Sequence, residues 1–464
     1  MKVRTRYAPS PTGFMHIGNL RTAIFEYLLA KKYNGDFILR IEDTDQEREV
    51  EGAIDFIYNT LDLCGFKIDE GPNNEGNFGP YIQSKRKDIY KEYALKLVEM
   101  GKAYYCFCSE EELTKMREKA DARKKPFLYD GRCSRLSKEK IEENLKNNVP
   151  YVIRQKMPKE GVTIVEDLIY GKVKIDNSIL DDQILLKSDG FPTYNFANVI
   201  DDHLMEITHV IRGKEYLDQT AKYNLLYEAF GWEKPTYIHV AMVLGEDGNK
   251  LSKRNGDASF MDLYNEGYLP EAIVNYLSLL GWSPETNQEV FSMEELISNF
   301  NEERISKSSS QYDVKKLKWF NHQYINKMDD EKYFSNECDK SEKWLNHLLL
   351  IYKSHLNYGK EINELTSSFF NKEFVIDEEA KEFMESDEEI PKVVEVFKEE
   401  IKSTSNWSVE TLQEVINNVK EKAGVKGKML FMPIRIAASG IMHGPELADT
   451  LYLIGKEEIL NRLK

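Results

Sequence analysis

An α/β chain, whose parallel sheet is interrupted in sequence by an α+β insertion and followed by an all-α third, is the fold this sequence predicts. Three observations carry that reading. The first 45 residues run strand, helix, strand, the order of a βαβ unit. A similar β/α rhythm returns only after about residue 190, so the sheet draws its strands from two separate stretches. Over roughly the last 140 residues the apolar positions recur with helical spacing alone.

The elements follow in order. Residues 2–8, KVRTRYA, alternate well enough for a short strand, which the next Pro, Ser and Gly residues end. A loop runs to about Gly18. In NLRTAIFEYLLAKKYNG, residues Leu20, Ile24, Tyr27 and Leu28 share a helical face, with Asn19 as cap and Gly35 as stop. DFILRIEDTD then reads as a buried strand ending in acidic and turn residues. Ligands on parallel sheets sit beyond the carboxyl ends of the strands. Both APSPTGFMHIG and EDTD fall there.

Between residues 87 and 190 the character changes. A helical piece ends at EMGKAYYCFCS, a Lys/Glu-rich segment follows, and β-like runs occur at YVIRQKM and GKVKI, which together suggest an insertion. The α/β pattern resumes with ILLKSDGFPTYNFANVIDDH and THVIRGKEY, then the helix QTAKYNLLYEAFG and the strand-like PTYIHVAMVLG. After NKLSKRNG the chain turns helical. Pro270 of PEAIVNYLSLLG suits a first helical turn. In SVETLQEVINNVKEKAG, Ser408 is a candidate cap, and Leu412, Val415, Ile416 and Val419 share a face. EFMESDEEIPK reads as a surface boundary between two helical subdomains.

Composition narrows the function. With 41% hydrophobic and 31% charged residues the chain is too apolar for general disorder. A formal net charge of -16 is the wrong sign for bulk attraction to nucleic acid, so any such contact must use local basic patches. No stretch approaches the roughly 18 uninterrupted apolar residues of a membrane span, and no leader pattern opens the chain, so a cytoplasmic, non-membrane protein is expected. Of five cysteines, Cys106, Cys108 and Cys133 lie close in sequence while Cys64 and Cys338 stand apart, which suits thiols or a metal better than a disulfide framework.

Two loops carry candidate chemistry. His16 in its Gly-flanked loop is either a structural turn histidine or a functional one. Thr12, His16 and the loop amides are donors at a helix start, where unpaired N–H groups and the helix dipole favour phosphate. The loop has neither P-loop nor G-x-G-x-x-G spacing. In KLSKRNG, Lys250, Lys253 and Arg254 crowd a short segment that is either a solvated basic turn or a mobile source of cations. Nucleotidyl transfer needs such cations where charge develops on departing pyrophosphate.

At this point the chain resembles the class I aminoacyl-tRNA synthetases, whose two ATP-binding motifs match HIGN (16–19) and KLSKR (250–254). The longer runs RYAPSPTGFMHIG, RIEDTD, SDGFPTYNFANVIDDH and LSKRNGDAS, in this order and spacing, are similar to the bacterial glutamyl-tRNA synthetase family. The likeness extends to the C-terminal IRIAASGIMHGPELADTLYLIGKE. One departure is Asn19, where the broad class pattern has histidine; variation there is familiar in the glutamyl branch.

The resemblance implies a split Rossmann-type catalytic domain over 1–86 and 191–260, and an acceptor-binding insertion over 87–190. It further implies a stem-contact helical domain over 261–325 and two anticodon-binding helical subdomains over 326–388 and 389–464. It implies activation of L-glutamate by ATP with Mg2+ and transfer to the 3′-terminal ribose of tRNA(Glu), by an enzyme expected to be monomeric. The ATP site would comprise Pro9, Ser10, His16, Gly18 and Asn19 from the first motif, and Lys250, Leu251, Ser252, Lys253 and Arg254 from the second. Thr12, His16, Lys250 and Lys253 would act on the phosphates. For glutamate, the family positions are Arg6, Arg212, Tyr194, Glu42, Asn198 and Ser10. Arginine suits a planar carboxylate, and Glu42 would face the substrate ammonium. The competing readings are an Arg6–Glu42 structural ion pair, and Tyr194 and Asn198 as capping or core residues.

Tetrahedral zinc wants four ligands. Cys106, Cys108 and Cys133 offer three. In zinc-containing relatives a histidine can follow the third cysteine by two places, but Arg135 stands there; Tyr129, in a Y-x3-C spacing, substitutes in a related tRNA-modifying family. Otherwise these are ordinary reduced cysteines. Candidate RNA patches are SKRKDIYKEY, DVKKLKWFNHQYI and EKAGVKGK, each more simply a solvated helix face; the second, with Trp319 and Phe320 beside lysines, is the most RNA-like. LLLIYKSHLNYGKEINELTSSFF has lysines and a histidine but no arginine, so anticodon selection is expected to be loose and tRNA(Gln) to be charged as well. The alternatives are a glutaminyl enzyme, a tRNA-modifying relative, a small-molecule nucleotidyltransferase and a silent RNA-binding protein. The first is disfavoured by the all-α C-terminal third, and the second and third by the length of chain after KLSKR. The last is disfavoured by the intact pocket residues.

Overall fold

The computed structural model describes residues 2–12, 15–48, 50–124, 126–249, 251, 259–328, 342–366 and 374–464. Its contacts divide the chain into one unit over residues 1–265 and 270–317 and another over 266–269 and 318–464.

The first unit is built on a parallel sheet. Strand β1 (Arg4–Tyr7) leads through helix α1 (Ile17–Lys32) to β2 (Asp36–Leu39), which pairs with β1 in parallel, Arg6 opposite Ile38. This is the βαβ unit the sequence predicts. Helix α1 departs from the one-sided pattern expected of it. Besides Leu20, Ile24, Tyr27 and Leu28 it buries Ala23, Phe25, Leu29 and Ala30, because it packs on β1 and β2 and also against helices Pro270–Ser278 and Met293–Asn299. Asn19 is not its cap. His16 takes that place, its Nδ1 accepting the Asn19 backbone N–H at 3.3 Å, so Asn19 lies in the first turn.

After helices α2 (Ala53–Leu63) and α3 (Lys87–Glu99) come β3 (Ala103–Cys106), α4 (Glu110–Ala122), α5 (Lys138–Lys146) and β4 (Val152–Gln155). A hairpin of β5 (Val162–Asp167) and β6 (Gly171–Asp176) and the short β7 (Ile184–Leu186) follow. Strands β3, β4 and β7 form a small antiparallel sheet. The hairpin goes elsewhere. Although it lies inside the segment expected to be an insertion, β5 pairs in parallel with β9 of the main sheet, Asp167 opposite Tyr237.

The α/β pattern resumes with α6 (Tyr194–Leu204), β8 (His209–Gly213), α7 (Thr220–Phe230) and β9 (Thr236–Val240). The sheet order is β6-β5-β9-β8, and a hydrogen bond from Thr208 N–H to the Arg4 carbonyl links β8 to β1. Strands from both halves of the chain thus form one surface; β5, β8 and β9 have their carboxyl ends on one side, while β6 runs antiparallel to β5.

Among the described residues from 318 onward every regular element is helical. Helix Val409–Ala423 begins at Ser408, whose side chain accepts the Thr411 N–H, and it buries the face Leu412, Val415, Ile416 and Val419. These pack with Val393, Phe397 and Ile401 of helix Ile390–Ser403 and with Leu430 and Ile434 of helix Lys428–Ser439. The stretch 382–392 does not divide this unit cleanly, because Ala380 before it packs on Ile436 and Met442 beyond it. No helix among the described residues is long and apolar enough to cross a membrane.

Candidate active site

A cavity of about 330 Å3 opens at the carboxyl ends of β1, β8 and β9, bounded by the first turn of α1. This is where the strand polarity of a parallel sheet puts ligands. Arg6, Pro9, Ser10, Thr12, His16, Gly18, Asn19, Glu42, Tyr194, Arg212 and Leu251 all line it. The sequence spreads these over some 245 positions; the fold gathers them. Asn198 does not join them: it is buried on α6, one turn beyond Tyr194, and its Nδ2 has no hydrogen-bond partner. Lys250, Ser252, Lys253 and Arg254 lie outside the described residues, as does Cys338. The flanks of the first group are placed, however. Leu251 N–H donates to the Val243 carbonyl at the cavity wall, and Ser259 forms a β-bridge with His16.

The first loop presents hydrogen-bond donors at the start of α1. The first backbone N–H groups of a helix lie at the positive end of its dipole, and in α1 those of Asn19 and Leu20 already donate to the His16 carbonyl. Because Nδ1 of His16 accepts from Asn19, its proton sits on Nε2, leaving that N–H as the ring's donor. Gly18 allows this fold: a Cβ there would stand 3.1 Å from the imidazole Nδ1.

Behind the cavity lies a buried charge network. Arg6 donates to Asp202 (2.9 and 3.3 Å) and to Glu26 (3.2 Å). Arg40, fully buried, donates to Glu42 at 2.9 Å and to Asp202 at 2.8 Å, and Arg86 donates to Asp201 at 2.7 Å. The competing reading, an Arg6–Glu42 ion pair, is not found among the described contacts, since each residue has another partner. Burial pushes the Glu26 carboxyl well above its usual range, against the pull of Arg6. Burial likewise raises Glu42 against Arg40 and Arg6. For Asp202 burial also acts upward, but Arg6 and Arg40 outweigh it and hold the carboxyl low. Four carboxyls here face three guanidiniums. Glu26 and Glu42 are the two carboxyls of this network that border the cavity.

Arg212 differs from Arg6. Its Nε donates to His239 Nε2 at 3.2 Å and its Nη2 to Thr220 Oγ1 at 2.8 Å, and its guanidinium lies 4.5 Å from the Tyr223 ring centre. None of these is an anion. No described carboxylate lies within ion-pairing distance of this 7% exposed arginine, so its charge is available to a ligand. A neighbouring glycine matters too: a Cβ on Gly213 would stand 2.2 Å from the Glu215 carboxylate, another acid at the cavity wall.

Sequence reasoning missed Glu26 and Arg21. Arg21 is buried beside the cavity, donates to the carbonyls of Ala241 and Leu280, and is lowered by burial to about 10. The signal was present: charged residues within the apolar run of α1 are costly unless paired or used.

A second cluster lies in the β3/β4 region. The ligand atoms of Cys106, Cys108 and Cys133 fall within 4.8 Å of one another. The Tyr129 hydroxyl stands 3.3 Å from the sulfurs of both Cys106 and Cys108, and Cys108 and Cys133 are 3.5 Å apart. A tetrahedral zinc site with bonds near 2.3 Å has ligand separations of about 3.8 Å, so these four atoms fit with little movement. Arg154 lies 4.2 Å from the Tyr129 ring centre. Burial and the neighbouring thiols push the phenol up without a metal, so a bound cation would have to reverse that shift.

Of the three basic patches, SKRKDIYKEY loses Arg86 to its buried pair with Asp201. In DVKKLKWFNHQYI, Trp319 is 39% exposed while Phe320 is core. The helical unit carries a separate cavity of about 450 Å3 bordered by His355, Arg435, Glu446 and Asp449. There Arg435 Nη2 donates to the Pro445 carbonyl and Nη1 has no partner.

Residues 2–319 match the family of tRNA synthetases class I (E and Q), catalytic domain, and residues 314–464 match the anticodon binding domain. A glutamate–tRNA ligase of Clostridium botulinum is 51% identical over 475 aligned residues, spanning all of this chain and 97% of that one. The Clostridium tetani glutamate–tRNA ligase is 49% identical with the same coverage. The crystal structure of a glutamate tRNA ligase from Elizabethkingia meningosepticum in complex with its amino acid superposes with a TM-score of 0.93 at 37% identity. It covers all of this chain and 98% of that one.

Proposed function

This chain belongs to the class I glutamyl and glutaminyl tRNA synthetases, and from that membership we propose that it is a glutamate–tRNA ligase. It activates L-glutamate with ATP to glutamyl-adenylate and transfers the glutamyl group to the 3′-terminal adenosine of tRNA(Glu). The full-length likeness to glutamate–tRNA ligases at about half identity carries the assignment. The all-helical unit after residue 318 agrees with it.

The chemistry needs no protein nucleophile. The substrate α-carboxylate attacks the α-phosphate of ATP, and the protein contributes position and charge. Arg212, uncompensated in its buried setting, would pair with a substrate carboxylate. Arg6, held rigid by Asp202 and Glu26, would present its remaining donor edge. Glu42, with Glu26 in the same cavity, would meet the ammonium. Tyr194 and Ser10 complete the rim, while Asn198 would act from behind the wall. Thr12, the Nε2–H of His16 and the first amides of α1 would hold phosphate from one side. Lys250 and Lys253 would do so from the other, with Mg2+ arriving on ATP and coordinated mainly by phosphate and water.

Cys106, Cys108, Cys133 and Tyr129 fit a structural zinc ion, which would tie β3 to the loop at 129–133. We assign tRNA contact to exposed Trp319 and its neighbouring lysines. The enzyme would work as a cytoplasmic monomer and also charge tRNA(Gln). Charging assays with glutamate and purified tRNA(Glu) and tRNA(Gln) at equal concentration test both levels. Absence of glutamate transfer to tRNA(Glu) refutes the function. A preference between the tRNAs beyond about a hundredfold, roughly 2.7 kcal/mol, refutes the dual charging alone.

A further inference from the structure

Arg212 is held in place by a buried pair that lies in neither of the two ATP-binding motifs. His239 on β9 stands directly opposite Arg212 in the parallel β8–β9 register, and Asp167 ends the neighbouring β5. Both side chains are completely buried. Asp167 Oδ2 accepts from His239 Nδ1 at 2.7 Å and from the His239 backbone N–H at 3.0 Å. Its Oδ1 accepts from the turn amides of Ile169 and Tyr170 at 2.9 and 2.7 Å. An acceptor-only carboxylate opposite Nδ1 fixes the proton on that nitrogen. Nε2 is then a lone pair, and it receives the Arg212 Nε–H at 3.2 Å. Burial presses His239 to stay neutral, against Asp167 and with the help of Arg212.

We propose that Asp167 and His239 are positioning residues for the amino-acid site, fixing the Arg212 guanidinium so that its remaining N–H edge meets a substrate carboxylate. This rests on the reading of Arg212 as a glutamate-binding residue. The arrangement is a chain of oriented donors: Asp167 sets the tautomer of His239, and the tautomer sets the direction of Arg212. Thr220 Oγ1 closes it by accepting from Arg212 Nη2 at 2.8 Å. The hairpin from the 87–190 segment thereby supplies a carboxylate two side chains removed from the substrate, without lining the cavity itself.

Substitution at Asp167 makes a specific demand. In Asp167→Asn the amide oxygen is needed by the turn N–H groups of Ile169 and Tyr170, so the NH2 turns toward His239 Nδ1 and also takes the acceptor from the His239 backbone N–H; a thermal melt of this variant therefore accompanies its kinetics. The NH2 forces the imidazole proton onto Nε2, where it opposes the Arg212 donor. The glutamate KM should rise about tenfold or more while the ATP KM stays within about twofold. Two further variants separate positioning from simple support of the fold. His239→Gln can offer an oxygen to Arg212 and an NH2 to Asp167, whereas His239→Asn reaches Asp167 but falls short of Arg212. The glutamate KM should be nearly normal in the first and raised in the second, with both proteins folded. Equal glutamate KM in the two, or an unchanged KM in Asp167→Asn, overturns the proposal provided Arg212→Ala itself raises the glutamate KM. If Arg212→Ala is also silent, the glutamate reading of Arg212 fails and this inference falls with it.

Discussion

Replacing Arg212 by alanine tests the amino-acid pocket with less interference from folding than replacing Arg6 would bring. The guanidinium has only neutral hydrogen-bond partners, His239 and Thr220, and a face on Tyr223. Its removal leaves no described buried acid unpaired, so the cost to stability comes from two lost hydrogen bonds, about 1–3 kcal/mol where a buried partner is left short, and from the space vacated beside Tyr216, Tyr223 and Tyr237. Binding is another matter. A substrate carboxylate brought into this buried site would lose its charged donor, at about 3 kcal/mol within the 2–5 kcal/mol range for truncating one side of a buried charged pair. At 1.36 kcal/mol per decade this is roughly a 150-fold loss in kcat/KM for glutamate. The assay is tRNA-dependent charging over a glutamate titration at saturating ATP, with the ATP KM measured separately. A kcat/KM for glutamate within about threefold of the parent would refute the argument. Arg6 is the poorer probe, because its loss strands Asp202 and Glu26 in the interior and mixes folding with binding.

Lys253→Ala should lower kcat for adenylate formation by about a hundredfold, roughly 2.7 kcal/mol, with the glutamate KM little changed, since a cation in that loop would act as charge builds on the triphosphate; stopped-flow measurement of pyrophosphate release checks it. Protein purified without chelator should contain close to one zinc per chain, lost in Cys106→Ser and Cys133→Ser; elemental analysis decides. His239 is held below its ordinary value, so between that depressed value and the unfolded value of about 6.5 the unfolded chain binds more protons. The stability it contributes is full above about pH 6.5 and falls as pH drops below it. Melting temperatures from pH 8 downward should show a gentler acid slope in His239→Gln than in the parent.

The parts of the fold that could be read in the sequence are those fixed by local chemistry. Alternation marks β1, turn residues end it, and the Ser408 cap and the face from Leu412 to Val419 mark a helix whose other determinants lie within one or two turns. The loop between β1 and α1 was legible for the same reason: strand, turn and helix start sit within 20 residues. What failed was non-local or used unusual groups. Imidazole capping at His16 lies outside the usual set of capping residues, so Asn19 was the natural choice. The joining of β5 to β9 rests on a pairing 70 residues apart, and no local pattern announces it. Asn198 shares a helix with Tyr194, but whether a position on α6 faces the cavity or the wall behind depends on how that helix sits. The network of Arg6, Arg40 and Asp202 spans more than 160 residues, although Glu26 within an apolar helix was a visible hint of it.

Pyrophosphate exchange into ATP, measured with cognate tRNA present and with glutamate, glutamine or aspartate as the sole amino acid, bears most directly on the assigned reaction. Exchange should depend on glutamate, with glutamine and aspartate at least a hundredfold less effective in kcat/KM, because a buried uncompensated arginine rewards a charged carboxylate at the reach of the glutamate side chain. Equal or faster exchange with glutamine would contradict the account.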